Sequence, residues 1–413
     1  MKKGIIGIVV GGGPAPGING VISSSTIEAI TEGRDVIGIR GGFKSLFSGD
    51  LRCALPLRIK DVSRIHTSGG SILGTSRDSV DDAQTKFKTL LATMRSLNIR
   101  HLITIGGDGT AFMARWIEQE ARGKIAVVHV PKTIDNDLYL PAGQSCFGYQ
   151  TARDWGVEIV KNIMEDAKTT GRWYFITTMG RSSGHLALGI GKAAGATVTL
   201  IPEEFEHNKL GMKRVADILE GAIIKRLSMG KNHGVVVLAE GISGRLNVSD
   251  SALFGNMRRD ELGRIRFSEL QFGGILRDEV RESLESRGIP MTIVHKTVGY
   301  ELRAADPIPY DIEYTRNLGY GAVRFLLNGG SGAMIVFDEG KLRPVSFVEM
   351  TERVTGNIKV RLVDVNSENY EVGRNYMIRL EKKDFKGGTV SRLAKHAKLS
   401  TKEFKKRFSY LVE

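Results

Sequence analysis

One short segment, Pro131-Lys132-Thr133-Ile134-Asp135-Asn136-Asp137, carries two carboxylates and a lysine, and the earlier glycine-rich turn Gly106-Gly107-Asp108-Gly109-Thr110 supplies a third carboxylate. This set suits phosphoryl transfer. The N–H groups of a glycine turn hold phosphate oxygens, and a neighbouring aspartate can hold the Mg²⁺ that spreads developing charge. A second aspartate is then available to take the proton of an attacking hydroxyl.

Elements that end at a common place must carry these residues. Lys2 to Val10 reads as a β-branched strand running into Gly11-Gly12-Gly13-Pro14-Ala15-Pro16-Gly17-Ile18-Asn19-Gly20 and then a helical stretch. Strand, glycine turn and helix start together form a phosphate site. The arrangement repeats at His101 to Ile105, which leads into Gly106-Gly107-Asp108-Gly109 and a helix over Ala111 to Arg122. Apolar strands over 5–10, 35–39, 102–105, 125–130, 173–178, 197–201 and 234–238 alternate with helical patterns. That alternation predicts an α/β fold with a parallel, doubly wound sheet. Ligands of such sheets bind beyond the carboxyl ends of the strands, where these glycine turns fall.

The 413 residues are enough to bury a large core and to divide into two domains. Lys and Arg number 59 against 46 Asp and Glu, a net charge of +13 that favours anionic ligands, whether sugar phosphates, nucleotides or nucleic acid. Cys53 and Cys146 are too few for a disulfide framework; they read as small apolar filling in a reducing compartment. Met1-Lys2-Lys3 followed by an apolar run mimics a leader, but glycines interrupt it. No apolar run approaches the roughly 18 residues of a membrane span. The expectation is a cytoplasmic enzyme with no membrane partner.

Seven segments occur in the order found in one known family: GGGPAPGIN (11–19), LGTSR (73–77), GGDGT (106–110), PKTIDND (131–137), MGRSSGHLAL (179–188), LAEG (238–241) and GYELRAADPIPYD (299–311). On these the chain resembles the 6-phosphofructokinases from Gly11 to about Ala333. Diacylglycerol and NAD kinases share a GGDGT turn but are not expected to have TIDND followed by MGR. The resemblance implies two doubly wound lobes of the phosphofructokinase type with the active site between them. A larger donor-binding lobe would use 1–147 plus about 302–360, a smaller fructose 6-phosphate lobe 148–301, and residues 361–413 would form a C-terminal extension.

The resemblance also implies roles. Asp135 is the general base for the sugar 1-hydroxyl, Asp108 holds Mg²⁺ and Asp137 assists. Thr133 donates to the transferring phosphoryl group, and Arg181 stabilises its charge. Thr133, Ile134 and Asp135 line the sugar together with the backbone of Met179 and Gly180, while Glu240 accepts from sugar hydroxyls. Tyr300 and Arg303 grip the 6-phosphate. Tyr300 stands where bacterial members usually have histidine, so phosphate affinity rests more on arginine. Arg172 reaches the 6-phosphate of a neighbouring subunit, which makes a homo-oligomer, tetramer or dimer, the expected active unit. Pro14 replaces an aspartate of many bacterial members, so their effector control is not transferred.

For the donor, Gly12, Gly13, Gly107, Asp108, Gly109 and Thr110 would hold phosphates, with Phe43 and Arg77 flanking the adenine and phosphates of ATP. Two signals oppose each other. Gly109 leaves space for the inner phosphate of ATP where an aspartate would repel it, whereas Lys132 is frequent in pyrophosphate-using members. A lysine near phosphates helps either donor. Gly109 is therefore given more weight, and the expectation is an ATP-dependent 6-phosphofructokinase with pyrophosphate as runner-up donor.

A non-enzyme alternative comes from the C-terminal extension. Ser391 to Phe408 has the pattern of two helices around Lys398-Leu399-Ser400 and weakly resembles the reading half of a helix-turn-helix. The plainer reading is an amphipathic tail docked through Leu393, Ala397, Phe404 and Phe408, and nucleic acid is not an expected partner. A catalytically dead regulatory subunit is disfavoured because Asp108, Asp135, Arg181, Glu240 and Arg303 are all present.

Overall fold

A computed structural model describes residues 4–76, 83–141, 143–207, 209–251 and 271–412. Its strands are β1 (Ile5–Val10), β2 (Val36–Ile39), β3 (Ala54–Pro56), β4 (Ile99–Gly106), β5 (Ala126–Pro131), β6 (Trp173–Thr178), β7 (Val198–Leu200), β8 (Gly234–Ala239), β9 (Ile293–Val298), β10 (Ala333–Asp338) and β11 (Lys341–Ser346). They form a seven-stranded sheet in the order β11-β10-β5-β4-β1-β2-β3 and a four-stranded sheet in the order β7-β8-β6-β9. The larger sheet is parallel from β10 to β2, with antiparallel β11 and β3 at its edges. The smaller sheet is parallel throughout. The expected α/β, doubly wound class is the one observed.

The described residues fall into two compact units. One holds the chain up to Ala152 together with Tyr300–Arg361, and the other holds the described part of Arg153–Gly299 together with residues from Leu362 onward.

Strand β1 shows why its sequence runs apolar without alternation. Ile6, Ile8 and Val10 join one core with Ile18, Val21 and Ile22 of the helix Ile18–Thr31, while Val9 enters the core on the opposite face with Ala111, Ala114 and Ile117. Successive side chains point to opposite faces, and helices cover both.

In the second unit Trp173, Phe175, Val236 and Leu238 pack with the helices Met212–Leu227 and Phe272–Glu285. Leu393, Ala397, Phe404 and Phe408 are buried in that same core, so the helices Gly387–His396 and Thr401–Phe408 dock on the body of the unit. Ser400 caps the second helix: its hydroxyl accepts from the Glu403 N–H at 3.2 Å, and Glu403 accepts from the Ser400 N–H at 2.8 Å.

Candidate active site

In the first unit β4, β1 and β2 are neighbours although β4 follows β2 in the chain, so the strand order reverses beside β1. Such a switch point opens a crevice at the strand ends. Backbone bonds continue past the strands and hold the three turns side by side. The Gly11 N–H donates to the Ile105 carbonyl at 2.9 Å, and the Lys132 N–H donates to the Gly106 carbonyl at 2.8 Å. Glycine is required at both turns for approach: a Cβ on Gly11 would lie 2.3 Å from the Thr110 hydroxyl oxygen, and one on Gly106 would lie 2.2 Å from it. Thr110 is thus buried beneath the two turns.

Lys132 is 4% exposed. Its ammonium donates to the Gly13 carbonyl and lies 3.3 Å from where a Cβ on Gly12 would be. The lysine therefore brings its cation against the first glycine turn. Asp108 opens the helix Asp108–Ala121, and its Oδ1 accepts from the Gly109 N–H at 2.7 Å.

The segment after β5 is a closed turn. Thr133 Oγ1 accepts from the Asp135 N–H at 3.0 Å and donates to Asp137 Oδ1 at 3.1 Å. Asn136 lies between the two aspartates with φ of 57°, a left-handed conformation that asparagine tolerates better than most residues. Its Oδ1 accepts from the Cys146 N–H at 2.9 Å. Arg361 props the same turn. Its Nε and Nη2 donate to the Asn136 carbonyl at 3.1 and 3.0 Å, and its Nη1 donates to the Gln144 carbonyl at 2.5 Å. Sequence reasoning missed Arg361, which lies beyond the last recognisable motif. It gave no role to Asp311, the last residue of the motif 299–311, whose carboxylate accepts from the N–H groups of Gly148 and Thr151 at 3.0 and 2.9 Å at the start of the helix Tyr149–Thr170.

Burial pushes the Asp137 carboxyl up to about 7, and the negative charges of Asp135 and Asp108 add to the shift while the Thr133 hydrogen bond opposes it. Three carboxylates thus share one field that a cation would relieve. Among the described residues no group of three or more His, Cys, Asp and Glu forms a protein-only metal cage. Mg²⁺ needs none when substrate phosphates complete its shell beside one or two carboxylates, so this set fits it.

The raised acid range makes a stability prediction for the free protein. Between about pH 4, where the unfolded chain loses this proton, and about pH 7 the folded state binds more protons at Asp137. Its contribution to stability therefore falls as pH rises through that window, by at most about 1.4 kcal/mol per pH unit. The side chain keeps some solvent exposure, so screening narrows this window and lowers the total loss. Asp137→Asn is expected to flatten this part of the curve in denaturant titrations, and an unchanged curve would refute the shift.

In the second unit β6, β8 and β9 also end together, at Met179-Gly180-Arg181, Glu240-Gly241 and Gly299. The Gly241 N–H donates to the Gly180 carbonyl at 3.1 Å. A Cβ on Gly241 would stand 2.5 Å from the Arg181 carbonyl oxygen, and Gly180 has φ of 128°. The two turns can lie backbone to backbone only as glycines. Met179 is buried against Gly299, Glu240 is buried at the head of a 3₁₀ turn, and Arg181 is half-buried.

Tyr300 and Arg303 fall on the short helix Tyr300–Ala304 of the first unit, with the guanidinium carbon 5.5 Å from the centroid of the exposed Tyr300 ring. Ile134 is buried. Arg172 directly precedes β6 and so lies at the opposite end of that strand from Met179, about 20 Å away. It does not join the turns at the other end of its own sheet. Phe43 corrects an expectation: it is 3% exposed and packed in the core near Phe47, which leaves its ring no free face for an adenine. Arg77 lies outside the described residues.

A sequence model of one family, described as phosphofructokinase, matches residues 5–326. A pyrophosphate–fructose 6-phosphate 1-phosphotransferase of Thermotoga maritima is 49% identical, with 99% of each chain covered. One of the same description from Naegleria fowleri is 47% identical over 99% of this chain and 96% of its own. An ATP-dependent 6-phosphofructokinase 1 of Thermus thermophilus is 33% identical over 86% of this chain and 95% of its own.

Proposed function

We propose that this chain, which belongs to the phosphofructokinase family, transfers a phosphoryl group from pyrophosphate to the 1-hydroxyl of fructose 6-phosphate. The observation that carries the reading is the buried Lys132 ammonium against the turn Gly11-Gly12-Gly13, beside the Asp108 turn. A small, highly charged donor is recognised by charge, and this lysine supplies one at the place where the glycine turns present their N–H groups.

The expectation of ATP is overturned. The two relatives that match at 49% and 47% along 99% of this chain carry the pyrophosphate-dependent description, against 33% for the ATP-dependent one. The physical reason lies in what each signal can do. Gly109 removes an obstacle to a nucleotide without adding a contact, and Phe43, the one aromatic chosen for adenine, is locked in the core. Lys132 adds a contact.

In this reading Asp135 takes the proton of the 1-hydroxyl as its oxygen attacks the nearer phosphorus of pyrophosphate. The bridging P–O bond breaks, and inorganic phosphate leaves toward Lys132. Arg181 donates to the transferred group. Asp108 and Asp137 are the residues that would hold Mg²⁺, whose charge neutralises donor oxygens. Glu240, Met179 and Gly180 orient the sugar, and Tyr300 and Arg303 bind its 6-phosphate. An aldolase-coupled assay with fructose 6-phosphate and either donor tests the whole: turnover with pyrophosphate is expected, and turnover with ATP alone would refute it.

The placement of Arg172 at the far end of β6 supports an oligomeric active unit, in which it serves a second copy's sugar site. Arg172→Ala is expected to raise the KM for fructose 6-phosphate at least tenfold, about the loss of one charge-assisted phosphate contact, with little change for pyrophosphate. A fully active monomer in sizing and kinetics would contradict this.

A further inference from the structure

We infer that Glu203 is a positioning residue that ties the C-terminal strap of the second unit, residues 362–384, to the turn assigned above to the sugar. Glu203 lies just past the end of β7, in the 3₁₀ turn Pro202–Glu204. Its carboxylate accepts the Gly184 N–H on both oxygens, at 2.9 and 3.1 Å, and its Oε1 also accepts the Val363 N–H at 2.9 Å. Gly184 closes the loop that begins at Met179-Gly180-Arg181 and starts the helix His185–Ala194. A Cβ there would meet the Glu203 Oε2 at 2.7 Å, so the approach is as close as the backbone allows. One carboxylate therefore fixes both the end of the candidate sugar loop and the first residues of the strap. Neither oxygen has a cationic partner among its hydrogen bonds described here, so its charge is spent on backbone amides.

The strap is also held over residues 378–384. Ile378 N–H donates to the Thr197 carbonyl at 2.8 Å beside edge strand β7, Arg379 pairs with Glu204 at 2.6 Å, and Lys225 pairs with Asp384 at 2.7 Å. Leu380 packs into the core. These contacts, with the Lys192 ammonium donating to the Asn369 carbonyl at 2.9 Å, hold the strap to the unit at points other than Glu203, so the Glu203–Val363 bond is not its sole attachment. Glu203 transmits the position of the strap to Gly184, three residues after Arg181. The strap is on this account a supporting wall of the substrate loop. The claim rests on the sugar assignment of the preceding section.

The test compares Glu203→Ala and Val363→Pro, which removes the donor N–H, with Arg379→Met, which loosens the strap elsewhere. Glu203→Ala and Val363→Pro are each expected to raise the KM for fructose 6-phosphate between about tenfold and a hundredfold with little change in the KM for pyrophosphate, as misplacement of a binding loop does. Glu203→Gln, which keeps one acceptor oxygen, is expected to restore most of the loss. Hydrogen exchange of the 179–184 peptide should quicken most in the Ala and Pro variants and less in Arg379→Met, which leaves the Lys225–Asp384 and Ile378–Thr197 anchors in place. Equal exchange in all three variants, or quicker exchange with an unchanged fructose 6-phosphate KM, would overturn the inference. Wild-type protein inactive on fructose 6-phosphate would overturn the proposed function instead, while the exchange comparison would still decide whether the clamp exists.

Discussion

Lys132→Met is expected to lower the catalytic efficiency with pyrophosphate by about 10² to 10³, the usual loss when one preorganised donor to developing phosphate charge is removed. Methionine keeps most of the unbranched stem, so the space beneath Gly12 and Gly13 stays filled. What disappears is the ammonium and its bond to the Gly13 carbonyl. Leaving that carbonyl without its partner costs about 1–3 kcal/mol of stability, which a thermal melt would register separately from the rate. The informative quantity is the ratio of efficiencies for pyrophosphate and ATP in wild type and variant. A folded Lys132→Met protein with undiminished pyrophosphate turnover would remove the basis of the donor assignment.

How much was legible in the sequence depended on whether a signal was local. The strands β1, β4, β6 and β8 were readable because each is a buried apolar run closed by a glycine turn, and β5 because its apolar run leads straight into Lys132 and the two aspartates. Strand β9 (IVHKTV) was not, since His295, Lys296 and Thr297 interrupt the apolar pattern; it is paired to β6 along its whole length all the same. The hairpin β10–β11 was missed for a related reason: β11 is an edge strand with Pro344 in its middle, and edge strands tolerate proline because one row of backbone groups needs no partner. The docked C-terminal helices were readable from the spacing of Leu393, Ala397, Phe404 and Phe408.

The candidate site divides in the same way. Asp108, Lys132, Asp135 and Asp137 announce themselves as charges beside glycine turns. Arg361 does not, because its function is to donate to backbone carbonyls of residues more than two hundred positions earlier, and a solvated arginine has the same sequence signature. Glu203 is hidden likewise: in a run with Glu204 and Glu206 it reads as surface charge, and only the fold brings Gly184 and Val363 to it. The donor was misjudged at this level too. Gly109 reports what is not excluded, while the sequence cannot say where the Lys132 side chain ends.

Asp135→Ser is expected to lower turnover by about 10² to 10⁴, the range associated with a positioned general base, and by more if the loss of charge disturbs the turn. Binding of fructose 6-phosphate should survive, because the phosphate grip assigned to Tyr300 and Arg303 lies elsewhere in the chain. The Asp135 N–H to Thr133 bond is a backbone donation and is not removed by the substitution. A second readout separates a chemical role from a structural one. After burial, the negative charge of Asp135 is the larger of the two carboxylate charges that lift Asp137 toward 7. With serine at 135 that repulsion is gone, so the Asp137 carboxyl should titrate at lower pH and the loss of stability between about pH 4 and pH 7 should shrink. If Asp135 acts through its charge and basicity, the fall in turnover and the flatter stability curve will appear together. A variant that keeps near-wild-type turnover while showing the flatter curve would leave Asp135 as a neighbour of Asp137 only, and the base would have to be sought elsewhere.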